Sequence, residues 1–145
     1  MFKVLIVCLV VTIIAMVTAY DPVKEAKMMI VNNCKTSVGA SQEDLDIVLN
    51  HGLPTTDKGL CLVECLLSKG NMMKNGKLNK SGFLASSKRE KKYTDAQLSQ
   101  LEKMINACDE EINSAKMDGC HAAKHIVECT TTKGKEIDFK FPSRL

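Results

Sequence analysis

Two short segments of this 145-residue chain hold residues whose type and spacing could do chemistry. In "CLVECLLSKG", Cys61 and Cys65 stand four apart; in "CHAAKHIVEC", Cys120 and Cys129 flank His121 and His125. Cys-x3-Cys with His-x3-His makes a Cys2His2 set of the kind that holds zinc. Fifty-five residues intervene between the halves, however, and such a set leaves Cys34, Cys108, Cys120 and Cys129 without a role. Carboxylates are no better placed for catalysis. Asp109, Glu110 and Glu111 are consecutive, so on a helix they fan over about 200° and cannot converge on one substrate atom. "HAAKH" lacks the glutamate of His-Glu-x-x-His, and neither Gly-x-Ser-x-Gly nor a phosphate-binding glycine loop occurs. The residues predict no enzyme, no metal and no cofactor.

The chain opens "MFKVLIVCLVVTIIAMVTAY": Lys3, a fourteen-residue apolar run from Val4 to Val17, then Thr18 and Ala19. Those are the parts of a secretory signal peptide, with Val17 and Ala19 at the −3 and −1 positions. We expect residues 1–19 to be the leader and 20–145 a single mature domain, secreted into extracellular fluid. A transmembrane helix needs about 20 apolar residues, and no second run of that length follows. Cys8 leaves with the leader, so seven cysteines become six, and an even count in an oxidising compartment predicts disulfides. Loss of Lys3 takes the net charge from +3 to +2, which argues against a nucleic-acid partner. The one dense basic run, "SKREKK" at Ser87–Lys92, reads as a solvated loop.

The elements that must position these cysteines are helical. Strand signals are absent from the mature chain, and an all-α fold of about six helices is expected. The first starts at Pro22, a residue favoured in a first turn, and runs through "VKEAKMMIVNNCK". "SQED" at Ser41–Asp44 has the form of a capping box, and the helix it opens ends near "NHGLP", before Pro54. A third helix begins near "TTDKG". "NG" at Asn75–Gly76 is a turn, and a short fourth helix holds Phe83 and Leu84. "TDAQ" at Thr94–Gln97 caps the longest amphipathic stretch, in which Leu98, Leu101, Ile105, Cys108 and Ile112 share a face. The sixth helix is "CHAAKHIVEC".

On the third helix Cys61 and Cys65 lie about 40° apart and point the same way, so a bond between them is disfavoured. Leu60, Leu62, Val63, Leu66 and Leu67 surround that helix, leaving Glu64 and Ser68 as a polar edge, which predicts a central, buried position. On the sixth helix Cys120 and Cys129 face opposite neighbours. Six cysteines allow fifteen pairings, and helix geometry alone does not choose among them.

The order Cys34-x26-Cys61-x3-Cys65-x42-Cys108-x11-Cys120-x8-Cys129 resembles the six-cysteine signature of insect odorant-binding proteins, in the pheromone- and general-odorant-binding branch. The x3 and x8 intervals, the leader, the apolar third helix and the "NGKL" turn at Asn75–Leu78 all agree with it. The resemblance implies three interlocked disulfides, Cys34–Cys65, Cys61–Cys120 and Cys108–Cys129, around an internal apolar cavity. It also implies a carrier that moves a small hydrophobic ligand (an odorant, a pheromone or a similar semiochemical) through sensillum lymph or another body fluid. The partners it implies are that ligand and a membrane chemoreceptor, with the protein itself a monomer or weak homodimer. The rival reading is a secreted helical protein that acts by binding another protein, its core filled, or a non-olfactory carrier of other apolar molecules.

A cavity in this chain would be walled by aliphatic residues and by the six methionines that follow the leader, because there is no Trp and aromatics make up only 4%. The expected lining is Leu49, Leu53, Leu66, Met72, Met73, Phe83, Leu84, Leu101, Met104, Ile105, Ile126 and Val127, with Tyr93 and Ser68 as polar candidates. In "KEIDFKFPSRL", Ile137, Phe139 and Phe141 alternate with Glu136, Asp138 and Lys140, a period-two pattern that predicts an extended tail with Phe139 and Phe141 capping the cavity. His51, in "LNHGLP", is the candidate pH switch, since histidine ordinarily titrates near pH 6.5. "NKS" at Asn79–Ser81 fits both a glycosylation acceptor and a helix cap.

Overall fold

The computed structural model describes residues 22–140, apart from 91, 116 and 118. The expected leader, residues 1–19, and Phe141 lie outside the described residues. Six helices are present among those described: α1 (Pro22–Val38), α2 (Gln42–Leu49), α3 (Asp57–Lys69), α4 (Lys80–Arg89), α5 (Asp95–Ser114) and α6 (Gly119–Glu136). Between α3 and α4 sits a minimal antiparallel hairpin, β1 (Met73–Lys74) with β2 (Lys77–Leu78), where no strand was expected. Asn75 and Gly76 both have positive φ, 54° and 73°, the backbone of a two-residue hairpin turn. Two residues per strand are too few to carry a period-two signal. Tertiary bonds hold the hairpin instead: the Asn113 amide on α5 accepts from the Leu78 N–H at 3.1 Å and donates to the Leu78 carbonyl at 3.2 Å.

Helix starts follow local chemistry. Ser41 and Asp44 cap α2 reciprocally, as do Thr94 and Gln97 at α5. Thr56 Oγ1 accepts from the Gly59 N–H at 2.9 Å and donates to Asp44 Oδ1 at 2.7 Å, so one carboxylate ties the starts of α2 and α3 together. Asp44 also accepts from the Ser41 N–H and hydroxyl. These bonds, the Thr56 hydroxyl foremost, hold its carboxyl below the ordinary aspartate range. The corner admits no side chain at Gly59, whose Cβ would collide with Pro54 and come within 2.6 Å of Asp44 Oδ1.

Helix ends share one device. Gly39, His51, Asn71 and Asp138 all have positive φ. In each case that residue and the next donate to carbonyls three and five residues back, as in Gly39 to Thr36 with Ala40 to Lys35 and Asp138 to Lys135 with Phe139 to Gly134. These are Schellman motifs, closing α1, α2, α3 and α6. The last of them corrects two expectations. The sixth helix runs past Cys129 to Glu136, and Glu136–Lys140 is no extended strand: at Asp138 the chain reverses, leaving Ile137 exposed and burying Phe139. The basic run "SKREKK" likewise begins inside α4, which extends to Arg89.

Disulfides join Cys34 to Cys65, Cys61 to Cys120 and Cys108 to Cys129. They tie α3 to α1 and α6, and α6 to α5. α3 and α6 form the most extensive helix pair, α1 and α2 pack on α3, and α4 packs on α5. The main core lies between α3, α5 and α6 around Val63, Leu101, Ile105, Ile112, Ala123 and Ile126. A second core, with Val31, Leu45 and Leu62, joins α1 and α2 to α3. Among the described residues no helix is long and apolar enough to cross a membrane.

Candidate ligand cavity

Where α2, α3, α4 and α6 converge, the helices leave a cavity of about 500 Å³. Its apolar wall is built by Val48 of α2, Val63, Leu66 and Leu67 of α3, Met72, Phe83 of α4, and Ile126 and Val127 of α6. α3 supplies three of these because residues 63, 66 and 67 fall on one side of the helix at spacings of three and four. Its cysteines anchor that helix to α1 and α6, which fixes the direction in which that side faces. The rest of the lining is Gly52 and the polar residues His51, Ser86, Ser87, Glu90, Lys92, Tyr93, Thr130 and Thr131.

Three wall hydroxyls are turned back onto the protein. Ser86 Oγ donates to the Gly70 carbonyl at 2.6 Å, Ser87 Oγ to the Phe83 carbonyl at 3.0 Å, and Thr130 Oγ1 to the Ile126 carbonyl at 2.7 Å. Their protons are thereby occupied, and the wall is less polar than its composition suggests. At the mouth, Glu90 pairs with Lys27 of α1 at 3.2 Å and lies 3.9 Å from Lys92. These pairs are exposed, worth well under about 1 kcal/mol each, and act as a polar rim. Tyr93 is half-buried and stacks on Phe139, with ring centroids 5.8 Å apart and planes at 29°. Burial, and secondarily the charge of Glu90, pushes its phenol above the ordinary value, so it remains a protonated donor at neutral pH.

Of the residues expected to line a cavity, Leu66, Met72, Phe83, Tyr93, Ile126 and Val127 are brought together on its wall, with His51 at its rim. The others are not. Leu101, Met104 and Ile105 are filled core between α5 and its neighbours, and Met73 is buried in the hairpin. Leu49, Leu53 and Leu84 pack against the two cores without reaching the cavity, and Ser68 is exposed on the far edge of α3. Phe139 is buried, stacks on the Tyr93 ring and is not among the residues that line the cavity. His51 is held in the left-handed region, φ 60°, by the Schellman bonds that end α2. Sequence reasoning missed Val48, Val63, Leu67 and the rim groups Gly52, Ser86, Ser87, Glu90, Lys92, Thr130 and Thr131. For Val63 and Leu67 the signal existed, since both share the Leu66 side of a helix already read as apolar all round.

The sulfurs of the Cys2His2 alternative are held in separate disulfides, and His121 and His125 are exposed. Asn79 is fully engaged as the cap of α4. Its Oδ1 accepts from the Gly82 N–H and the Ser81 hydroxyl, while Nδ2 donates to both the carbonyl and the side chain of Asn71.

Comparison with known proteins agrees with this architecture. The model of the PBP/GOBP family matches residues 18–133, most of the chain. The chain belongs to the PBP/GOBP family. Within that family it is similar to general odorant-binding protein 19d of Drosophila melanogaster, 33% identical over 106 residues that span 72% of this chain and 69% of the relative. Its fold is similar to that of the odorant-binding protein dmelOBP28a of Drosophila melanogaster, with a TM-score of 0.66, 24% identity, and 81% of this chain and 98% of that one covered. It is also similar to a pheromone-binding protein of the cockroach Leucophaea maderae, solved in complex with the fluorescent reporter ANS (TM-score 0.63, 26% identity, 75% and 92% covered).

Proposed function

We infer that this member of the PBP/GOBP family is a carrier, which holds a small and mostly apolar molecule in the cavity between α2, α3, α4 and α6 and moves it through an aqueous extracellular fluid. The observation that carries this reading is the cavity itself: about 500 Å³, with eight of its lining residues apolar. Ligand sites range over roughly 300–1,000 Å³, so the space suits a molecule of odorant or short lipid size. An unfilled core forfeits packing, and in this chain disulfides join two of the cavity's four helices, α3 and α6, to each other and to α1 and α5 behind them. Covalent ties of this kind offset the lost cohesion and fix α3 and α6 relative to each other. Binding without conversion of the ligand is the activity this reading assigns, and three of the wall hydroxyls, those of Ser86, Ser87 and Thr130, already donate to backbone carbonyls. Residues 1–19 serve as the secretory leader, and the oxidised cysteines suit the compartment it leads to.

The test is fluorescence titration with ANS, the reporter found with the cockroach relative. ANS should brighten on binding the oxidised protein and dim as long-chain apolar molecules are added. A protein that neither binds ANS nor retains an extractable apolar molecule in native mass spectrometry would overturn the carrier reading and favour a protein-binding role.

A further inference from the structure

The cavity's hydrogen-bonding inventory is lopsided. Ser86, Ser87 and Thr130 each have a single hydroxyl proton, and each already donates it to a backbone carbonyl, so toward the cavity they offer lone pairs alone. Glu90 is an acceptor and ion-paired at the rim. His51, Lys92 and Thr131 also border the cavity but are exposed to solvent, whereas Tyr93 is half-buried, and among the described residues its hydroxyl has no hydrogen-bond partner. Its ring is clamped on one face by Phe139, which is itself buried and held by the Schellman turn at Asp138. A half-buried donor on a fixed ring, lacking a protein acceptor, loses a bond to water whenever an apolar ligand fills the space.

Resting on the carrier reading, we propose that Tyr93 is the specificity-determining donor of the cavity, its hydroxyl binding one oxygen of the ligand. The favoured ligands are therefore chains with a single carbonyl, ester or aldehyde oxygen, in preference to hydrocarbons of equal length. Occupation by a hydrocarbon leaves the phenol unsatisfied, whereas a carbonyl replaces the lost water.

The experiment is displacement of ANS by methyl nonyl ketone and by undecane, which have equal chain length, from the wild-type protein and from Tyr93→Phe. That substitution keeps the ring and its stacking on Phe139. Wild type should prefer the ketone, and Tyr93→Phe should weaken the ketone by about two- to tenfold, the worth of one neutral hydrogen bond, while leaving undecane unchanged. Equal weakening of both compounds, or an unchanged ketone, overturns the assignment of Tyr93 and leaves the carrier intact. If ANS does not bind the wild-type protein, or neither compound displaces it, the carrier reading fails and this inference falls with it. A second readout needs no variant: the carbonyl stretch of the ketone bound to wild type should move below its frequency in hydrocarbon solvent, and an unshifted band overturns the proposal.

Discussion

Leu101 and Leu66 carry the same side chain, and only their positions separate core from cavity wall. Leu101 is 0% exposed within α5, enclosed by Ile105, Ile126 and their neighbours, whereas Leu66 is partly exposed and borders the cavity. Truncating either to alanine removes three carbons, and at about 0.8 kcal/mol for each fully buried one the transfer loss is near 2.4 kcal/mol. At Leu101 a void opens where none existed, and the added cavity penalty brings the expected loss to about 3–5 kcal/mol. At Leu66 the side chain already faces empty space, so the void merely grows and the transfer loss is reduced by partial exposure to about 1 kcal/mol. Ligand affinity should behave in the opposite way. Leu66→Ala should weaken ANS by about fivefold, the equivalent of about 1 kcal/mol of lost contact, while folded Leu101→Ala binds as wild type does. Guanidinium denaturation of the oxidised proteins at constant m-value gives the stabilities, and ANS titration below each transition gives the affinities. Similar stability losses at the two sites, or a larger affinity loss for Leu101→Ala, would refute the separation of core from wall.

Three further outcomes follow from the local chemistry. Because Thr56 and Ser41 depress the Asp44 carboxyl, its contribution is complete above the unfolded value near pH 4 and is lost as pH falls through the lower folded value; Asp44→Asn should be less stable at neutral pH and show a flatter acid profile in thermal melts. Asn79→Ala should destabilise by about 1–2 kcal/mol through loss of the α4 cap, and the wild-type chain made in a glycosylating host should keep its mass on glycosidase treatment, since Nδ2 is engaged with Asn71. His51→Gly relieves a left-handed residue and should raise stability by about 0.5–1 kcal/mol in urea titration; if His51 also gates the ligand, His51→Gln will flatten the pH profile of ANS affinity.

Much of the fold was legible because its signals are local. Ser41 with Asp44 and Thr94 with Gln97 carry the chemistry of a helix start within four residues, and Asn75–Gly76 carries that of a turn. The cysteine intervals led to the family through their resemblance to its six-cysteine signature, which implied the pairing that helix spacing alone left open. Elsewhere packing overrode propensity. "TTTKGKE" after Cys129 has three β-branched residues and a glycine, poor helix formers, yet α6 continues through it. Thr130 and Gly134 are buried there, and the Thr130 hydroxyl bonds the Ile126 carbonyl inside the helix.

From the sequence alone came the helical class, the starts of the helices, the central place of α3 and a supply of aliphatic side chains for whatever space the helices enclosed. Tertiary structure alone decided which of those side chains border a void. Leu66 and Leu101 are equally apolar and equally periodic, Met72 and Met104 are equally apolar, and hydrophobicity drives both kinds out of water without distinguishing a packed neighbour from a ligand. The difference lies in how far apart α2, α3, α4 and α6 are held, a distance set by contacts between residues remote in the chain and, for α3 and α6, by a disulfide.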